Sequence, residues 1–167
     1  MAKKKNKLNF KFLYLVACVL GIVAVCMIFL QAVKIPDIKT GYGTVEIETG
    51  YTGLQVVFGN KVEGVSELLF SFMALLPYLL MIGGVVLSAL KITGKGKNGI
   101  LDFVSIGLFV AAGVLMFITP SFVVFADTVL GKTAALIEYK LSIGAILAGI
   151  FSILAGATVA VKNLLKK

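Results

Sequence analysis

LSIGAILAGIFSILAGATVAV fills residues 141–161 and contains no lysine, arginine, aspartate or glutamate. An α-helix rises about 1.5 Å per residue, so this run reaches about 31 Å, the thickness of a bilayer's hydrocarbon core. Three more runs have the same character: Phe12 to Val33, Leu68 to Leu90, and Phe103 to Ala126. The chain has 167 residues, 59% of them hydrophobic, which leaves too few polar residues to cover four such runs in water. The pattern predicts one integral membrane domain with an all-α transmembrane fold. Its spans are placed at about 12–33, 68–90, 100–126 and 141–161, with Asn98 as the cap that starts the third and Asp102 in its first turn.

Within the opening stretch, Gly144, Ala148, Ser152, Gly156 and Ala160 recur every fourth residue. Positions four apart share a helix face, so they form a groove of small residues over the full membrane depth. In lipid such faces let helix backbones approach closely. Packing inside a four-helix bundle is the favoured reading, and a self-association or partner face is the alternative.

The lysines orient the chain. Eleven of them (Lys3, Lys4, Lys5, Lys7, Lys11, Lys91, Lys95, Lys97, Lys162, Lys166 and Lys167) fall on one side of the four spans, and five on the other. Of the eight acidic residues, only Asp102 lies on the lysine-rich side. Positive charge near span ends marks the cytoplasmic face, so both termini are expected there. The basic clusters flank spans and lack interleaved aromatics, which argues for anionic lipid headgroups and against nucleic acid. The use of lysine for every basic position, with no histidine or tryptophan, suggests a bacterial plasma membrane protein.

Lys3 to Ala17 is read as the start of a signal-anchor span, because its apolar run is too long for a signal-peptide core and no A-x-A site follows. Leu15-Val16-Ala17-Cys18 has the outline of a lipobox, but the apolar stretch before the cysteine is too short. Cys18 and Cys26 lie two turns apart on one helix, about 12 Å in rise, and cannot bond to each other. The GKGK at residues 94–97 lacks phosphate-loop spacing and reads as a flexible basic turn.

The first outer loop, residues 34–67, opens with Lys34-Ile35-Pro36, which stops a helix. Thr44–Thr49 and Leu54–Phe58 alternate around Gly50-Tyr51-Thr52-Gly53, the signature of a small extracytoplasmic β-hairpin over 44–58. Its apolar face would carry Val45, Ile47, Leu54, Val56 and Phe58. Ser66 or Glu63 is expected to begin the second span. Pro120 predicts a kink or an end in the third span, and residues 133–139 an early start to the fourth.

No catalytic or cofactor constellation is legible. There is no histidine, the two cysteines lack a base, and no carboxylate pair falls within a span, so no enzymatic role is expected. Glu46 and Glu48 share a strand face and read as solvated. No span interior carries a charge, which disfavours ion-coupled transport. Pro77, Tyr78, Gly83 and Gly84 form the one irregularity near mid-depth, a candidate hinge or pocket. Ser71, Tyr78, Ser88 and Ser105 are the mildly polar groups that could line a pore built from several copies.

Four spans, cytoplasmic ends, a strand-bearing first outer loop and a short second one: this layout resembles that of claudin-like tetraspans. Their W-GLW-C-C signature is not present, since Gly53-Leu54 is followed by Gln55 and the loop has no cysteine. The resemblance therefore implies architecture alone, as in other small bacterial four-span proteins. The expected role is that of a structural or accessory subunit, binding a membrane protein partner through the hairpin or the small-residue face. The alternative is a homo-oligomeric channel or transport component.

Overall fold

A computed structural model describes residues 10–35, 38–40, 43–45, 50–62, 66–94, 99–126 and 138–165. Four helices dominate: α1 (Phe10–Cys26), α3 (Phe72–Ile92), α4 (Ile100–Phe117) and α5 (Ile143–Leu165). All four are long and apolar enough to cross a membrane, α1 being counted together with the 3-10 turn Met27–Phe29 that continues it. They form a four-sided ring in which α1 and α4 occupy opposite corners, each packed on α3 and α5. The end where α1 begins and α5 stops is called here the terminal end, and the opposite end the cap end.

The cap departs from the predicted hairpin. Leu54–Phe58 is not a strand but most of a short helix, α2 (Gly53–Phe58). The reason is local. Thr52 Oγ1 accepts from Gln55 N–H while Gln55 Oε1 accepts from Thr52 N–H, a capping box that satisfies the first turn's orphan donors. The alternating apolar pattern at 54–58 is outweighed by that cap. Gly59 then ends α2 at φ 86°, a left-handed conformation natural to glycine. Of the expected first strand, Val45 ends β3 (Gly43–Val45), which pairs with β2 (Ile38–Thr40). Ile47, Glu46 and Glu48 lie outside the described residues.

Span one is also shorter than its apolar run. The helix stops at Cys26, its 3-10 continuation at Phe29, and Gln31–Lys34 turns into strand β1. β1 is the centre of a three-stranded antiparallel sheet, flanked by β4 (Gly50–Thr52) and β7 (Lys140–Leu141). Val33 pairs with Tyr51 on one side and Leu141 on the other, and a bulge lies between Gln31 and Val33. The apolar run extends past the helix because Ala32 and Val33 remain buried as a strand.

The expected start of span two at Ser66 is corrected as well, and Glu63 lies outside the described residues. Ser66–Leu68 is strand β6, paired with β5 (Asn60–Val62). Ser71 is the N-cap of α3, its hydroxyl accepting from Ala74 N–H and donating to Phe122 O. Span three ends rather than kinks: α4 stops at Phe117, and Pro120 sits in a following 3-10 turn, Thr119–Phe122. α4 is preceded by Gly99 with no side-chain cap, and Asn98 lies outside the described residues. So do residues 133–137 of the proposed early extension of α5; Glu138 and Tyr139 are non-helical.

Candidate functional site

At the terminal end each of the four helices contributes one side chain to a buried ion cluster. Asp102, in the first turn of α4, is 2% exposed. Its Oδ1 accepts from Tyr14 Oη of α1 at 2.7 Å and lies 3.1 Å from Lys91 Nζ of α3. Its Oδ2 accepts from Lys162 Nζ of α5 at 2.8 Å. Lys162 Nζ also donates to Asn163 Oδ1 at 3.2 Å and stands 5.0 Å from the centre of the Tyr14 ring. Each charge sits at the helix end that favours it: the carboxylate near an N-terminus, the two ammonium groups near C-termini. A buried carboxylate persists only when paired and hydrogen-bonded, and here three donors meet it.

The charges lie at the helix ends and not in the span interiors: Asp102 in the first turn of α4, Lys91 and Lys162 in the last turns of α3 and α5. α3 and α5 run on to Ile92 and Leu165, so Lys91 and Lys162 belong to the helices rather than to the loops. Asp102 is not only a dipole partner but the shared acceptor of the bundle.

One turn further in, Ser105 Oγ donates to Gly84 O at 3.3 Å, so Ser88 donates to Ser105 across 3.1 Å. Ser152 Oγ donates to Phe109 O at 2.7 Å, joining α5 to α4. The serines proposed as pore lining are therefore bonded inside the bundle: Ser71 at the cap, Ser88 and Ser105 between α3 and α4. Beyond them, Met81, Phe109 and Met116 are fully buried and fill the axis. A Cβ at Gly84 or at Gly21 would lie 2.9 Å from Phe109 Cε1, so the ring is seated between two glycines on α3 and α1.

The small-residue face of α5 points into the bundle. Gly144, Ala148, Ser152 and Gly156 are buried and Ala160 is half-buried. Gly144 meets the backbone of Leu30 and Gln31, where an added Cβ would come within 2.6 Å of Gln31 O. Gly156 faces Phe109, with 3.2 Å from an added Cβ to the Phe109 Cβ. Pro77 and Tyr78 are buried, and α3 continues unbroken through both and through Gly83 and Gly84. Gly83 lies against Leu108 and Gly84 against Phe109, so this pair is a seat for α4. Of the proposed hairpin face, Val56 is buried, Leu54 half-buried and Phe58 exposed.

In the cap, Tyr51, Phe125 and Tyr139 cluster, with ring centroids 5.4 Å apart for Phe125–Tyr139 and 6.2 Å for Tyr51–Tyr139. Burial, and secondarily the neighbouring Tyr51, pushes the Tyr139 hydroxyl up to about 12. Among the described residues no group of three histidine, cysteine or acidic side chains could hold a metal ion.

The ion cluster escaped the sequence reading, although one signal for it was present. Asp102 is the single acid on a side bearing eleven lysines. It also stands in register with Ser105, Phe109, Ala112 and Met116, the buried face of α4. Comparison with protein-family models, with curated proteins and with solved structures finds no match for this chain.

Proposed function

We propose that this chain is a non-enzymatic, multi-pass protein of a bacterial plasma membrane, acting as a structural or accessory subunit. Its partner, in this reading, is another membrane protein, engaged through the cap. The observation that carries the reading is the filled axis: Met81, Phe109 and Met116 occupy it, and the serines on either side are bonded between helices. A bundle consolidated in this way is suited to holding a shape rather than to passing a solute through its own centre. The inward packing of Gly144, Ala148, Ser152 and Gly156 supports engagement through the cap rather than through that face. The lysine count supports cytoplasmic termini, with anionic headgroups around the terminal end.

The test is the native mass of the protein after gentle extraction from its own membrane, with each copurifying chain identified. One copy held by a different protein, without conductance in planar bilayers, is expected. A homo-oligomer that conducts would replace this reading with the channel alternative.

A further inference from the structure

The helices do not match one another in length. From Lys91 back to Phe72 on α3, and from Lys162 back to Ile143 on α5, the rise is about 28 Å, close to a hydrocarbon thickness of about 30 Å. From Tyr14 to the end of the 3-10 turn at Phe29, the first column rises only about 24 Å. Since the ion cluster sets all four helices level at the terminal end, α1 stops short of the depth that α3 and α5 reach.

α2 occupies the missing height. Its first residue, Gly53, donates its N–H to Leu30 O at 3.1 Å. A Cβ on Gly53 would meet Tyr78 Oη at 2.5 Å and Ile28 O at 2.8 Å. Tyr78 lies six residues inside α3, about 9 Å below Phe72. At the other end of α2, Val57 O accepts from Ser71 N at 2.9 Å, level with the start of α3. So α2 runs from the end of the first column to the start of α3, over the top of α1, and spans the difference of about 4 Å between the two rises.

We infer that α2 lies within the hydrocarbon layer and completes the first span, so that Phe58 and Phe70 meet lipid acyl chains. The chemistry of the segment suits that position. Leu54, Val56, Val57 and Phe58 are apolar, and the amide of Gln55 is turned back onto Thr52 N–H. Non-helical backbone at membrane depth must be satisfied internally. Here Thr52, Gly53 and Gln55 N–H are bonded, Gly59 N–H closes on Gln55 O, and Val57 O is taken by Ser71. Exposed large apolar side chains adjoin the segment: Phe29, Phe58, Leu69, Phe70, Phe72 and Met73. Phe58 and Phe70 stand 6.5 Å apart, ring to ring. The inference rests on the four helices crossing a membrane, and the experiment separates the two claims.

Single cysteines would be introduced into a Cys18→Ala, Cys26→Ala background. Membrane fragments open on both faces would then be treated with a membrane-impermeant maleimide. Glu138→Cys, exposed and outside the four helices, reports water; Val19→Cys, exposed at mid-α1, reports lipid. A thiol surrounded by acyl chains has no thiolate to react, so Phe58→Cys and Phe70→Cys should label at least about tenfold more slowly than Glu138→Cys. Both phenylalanines are exposed, so neither change empties the core. Labelling of both at the Glu138→Cys rate, with Val19→Cys still protected, would overturn the placement of α2 alone. Fast labelling of Val19→Cys would overturn the membrane reading and this inference together.

Discussion

At the terminal end, a single carboxylate gathers Tyr14, Lys91 and Lys162 from three other helices. At the cap end, α5 is joined to the strand after α1 by backbone: Ser142 N–H donates to Ala32 O at 3.0 Å, and β1 pairs with β7. Ser142 Oγ adds a bond to Gln31 Oε1 at 3.0 Å. The first end depends on one residue whose loss takes the shared carboxylate away from buried Lys162 and from Lys91. The second distributes its hold over many small contacts. Charge and backbone thus do the same task with opposite sensitivity to a single substitution.

Substitutions can break this contrast. Asp102→Asn should have the largest effect, about 3–5 kcal/mol of lost stability, because removing one partner leaves uncompensated charge in the interior. Chemical unfolding in detergent would measure it. Next comes Gly144→Ala, which drives a methyl toward the Gln31 carbonyl at the joint between α5 and the sheet. Overpacking of that kind costs about 1–3 kcal/mol, and a matching drop in melting temperature is expected. Thr52→Ala removes the cap of α2 and should cost about 1 kcal/mol, with loss of amide-exchange protection confined to residues 53–58. Ser88→Ala should cost least, about 0.6 kcal/mol, since Ser105 keeps its bond to Gly84 O.

The cap also carries a pH signature. Tyr139 has its hydroxyl raised from 10 to about 12 by burial. The folded state therefore holds the proton more tightly than the unfolded chain does. That contribution is fully present below pH 10 and is lost as pH rises through about 12. Tyr139→Phe should flatten the fall in stability over that window relative to wild type. An identical alkaline profile for both proteins would remove Tyr139 from the account.

The same contrast explains what was legible in the sequence. The four long helices follow from uncharged runs, because hydrophobic length is a local property read directly from composition. The inward face of α5 follows from the four-residue repeat of Gly144, Ala148, Ser152, Gly156 and Ala160. The cap was misread at 54–58, where alternation suggested a strand and a four-residue capping box decided for helix. Period and cap compete over so short a segment, and the cap satisfies donors that the strand would have needed a partner to satisfy. The ion cluster was not legible because it joins residues 60 and 88 positions apart in sequence. Lys91 and Lys162 each read singly as a topology signal, and only the packing of the helices shows that both end on Asp102.

The measurement that tests the central claim most directly compares unfolding free energies for wild type, Asp102→Asn, and Asp102→Asn combined with Lys91→Met and Lys162→Met. If Asp102 is the hub of the cluster, the single change is severe and the triple variant recovers most of the loss, since the ammonium groups that faced the carboxylate leave with it. A single variant as stable as wild type, or a triple variant no better than the single, would contradict it.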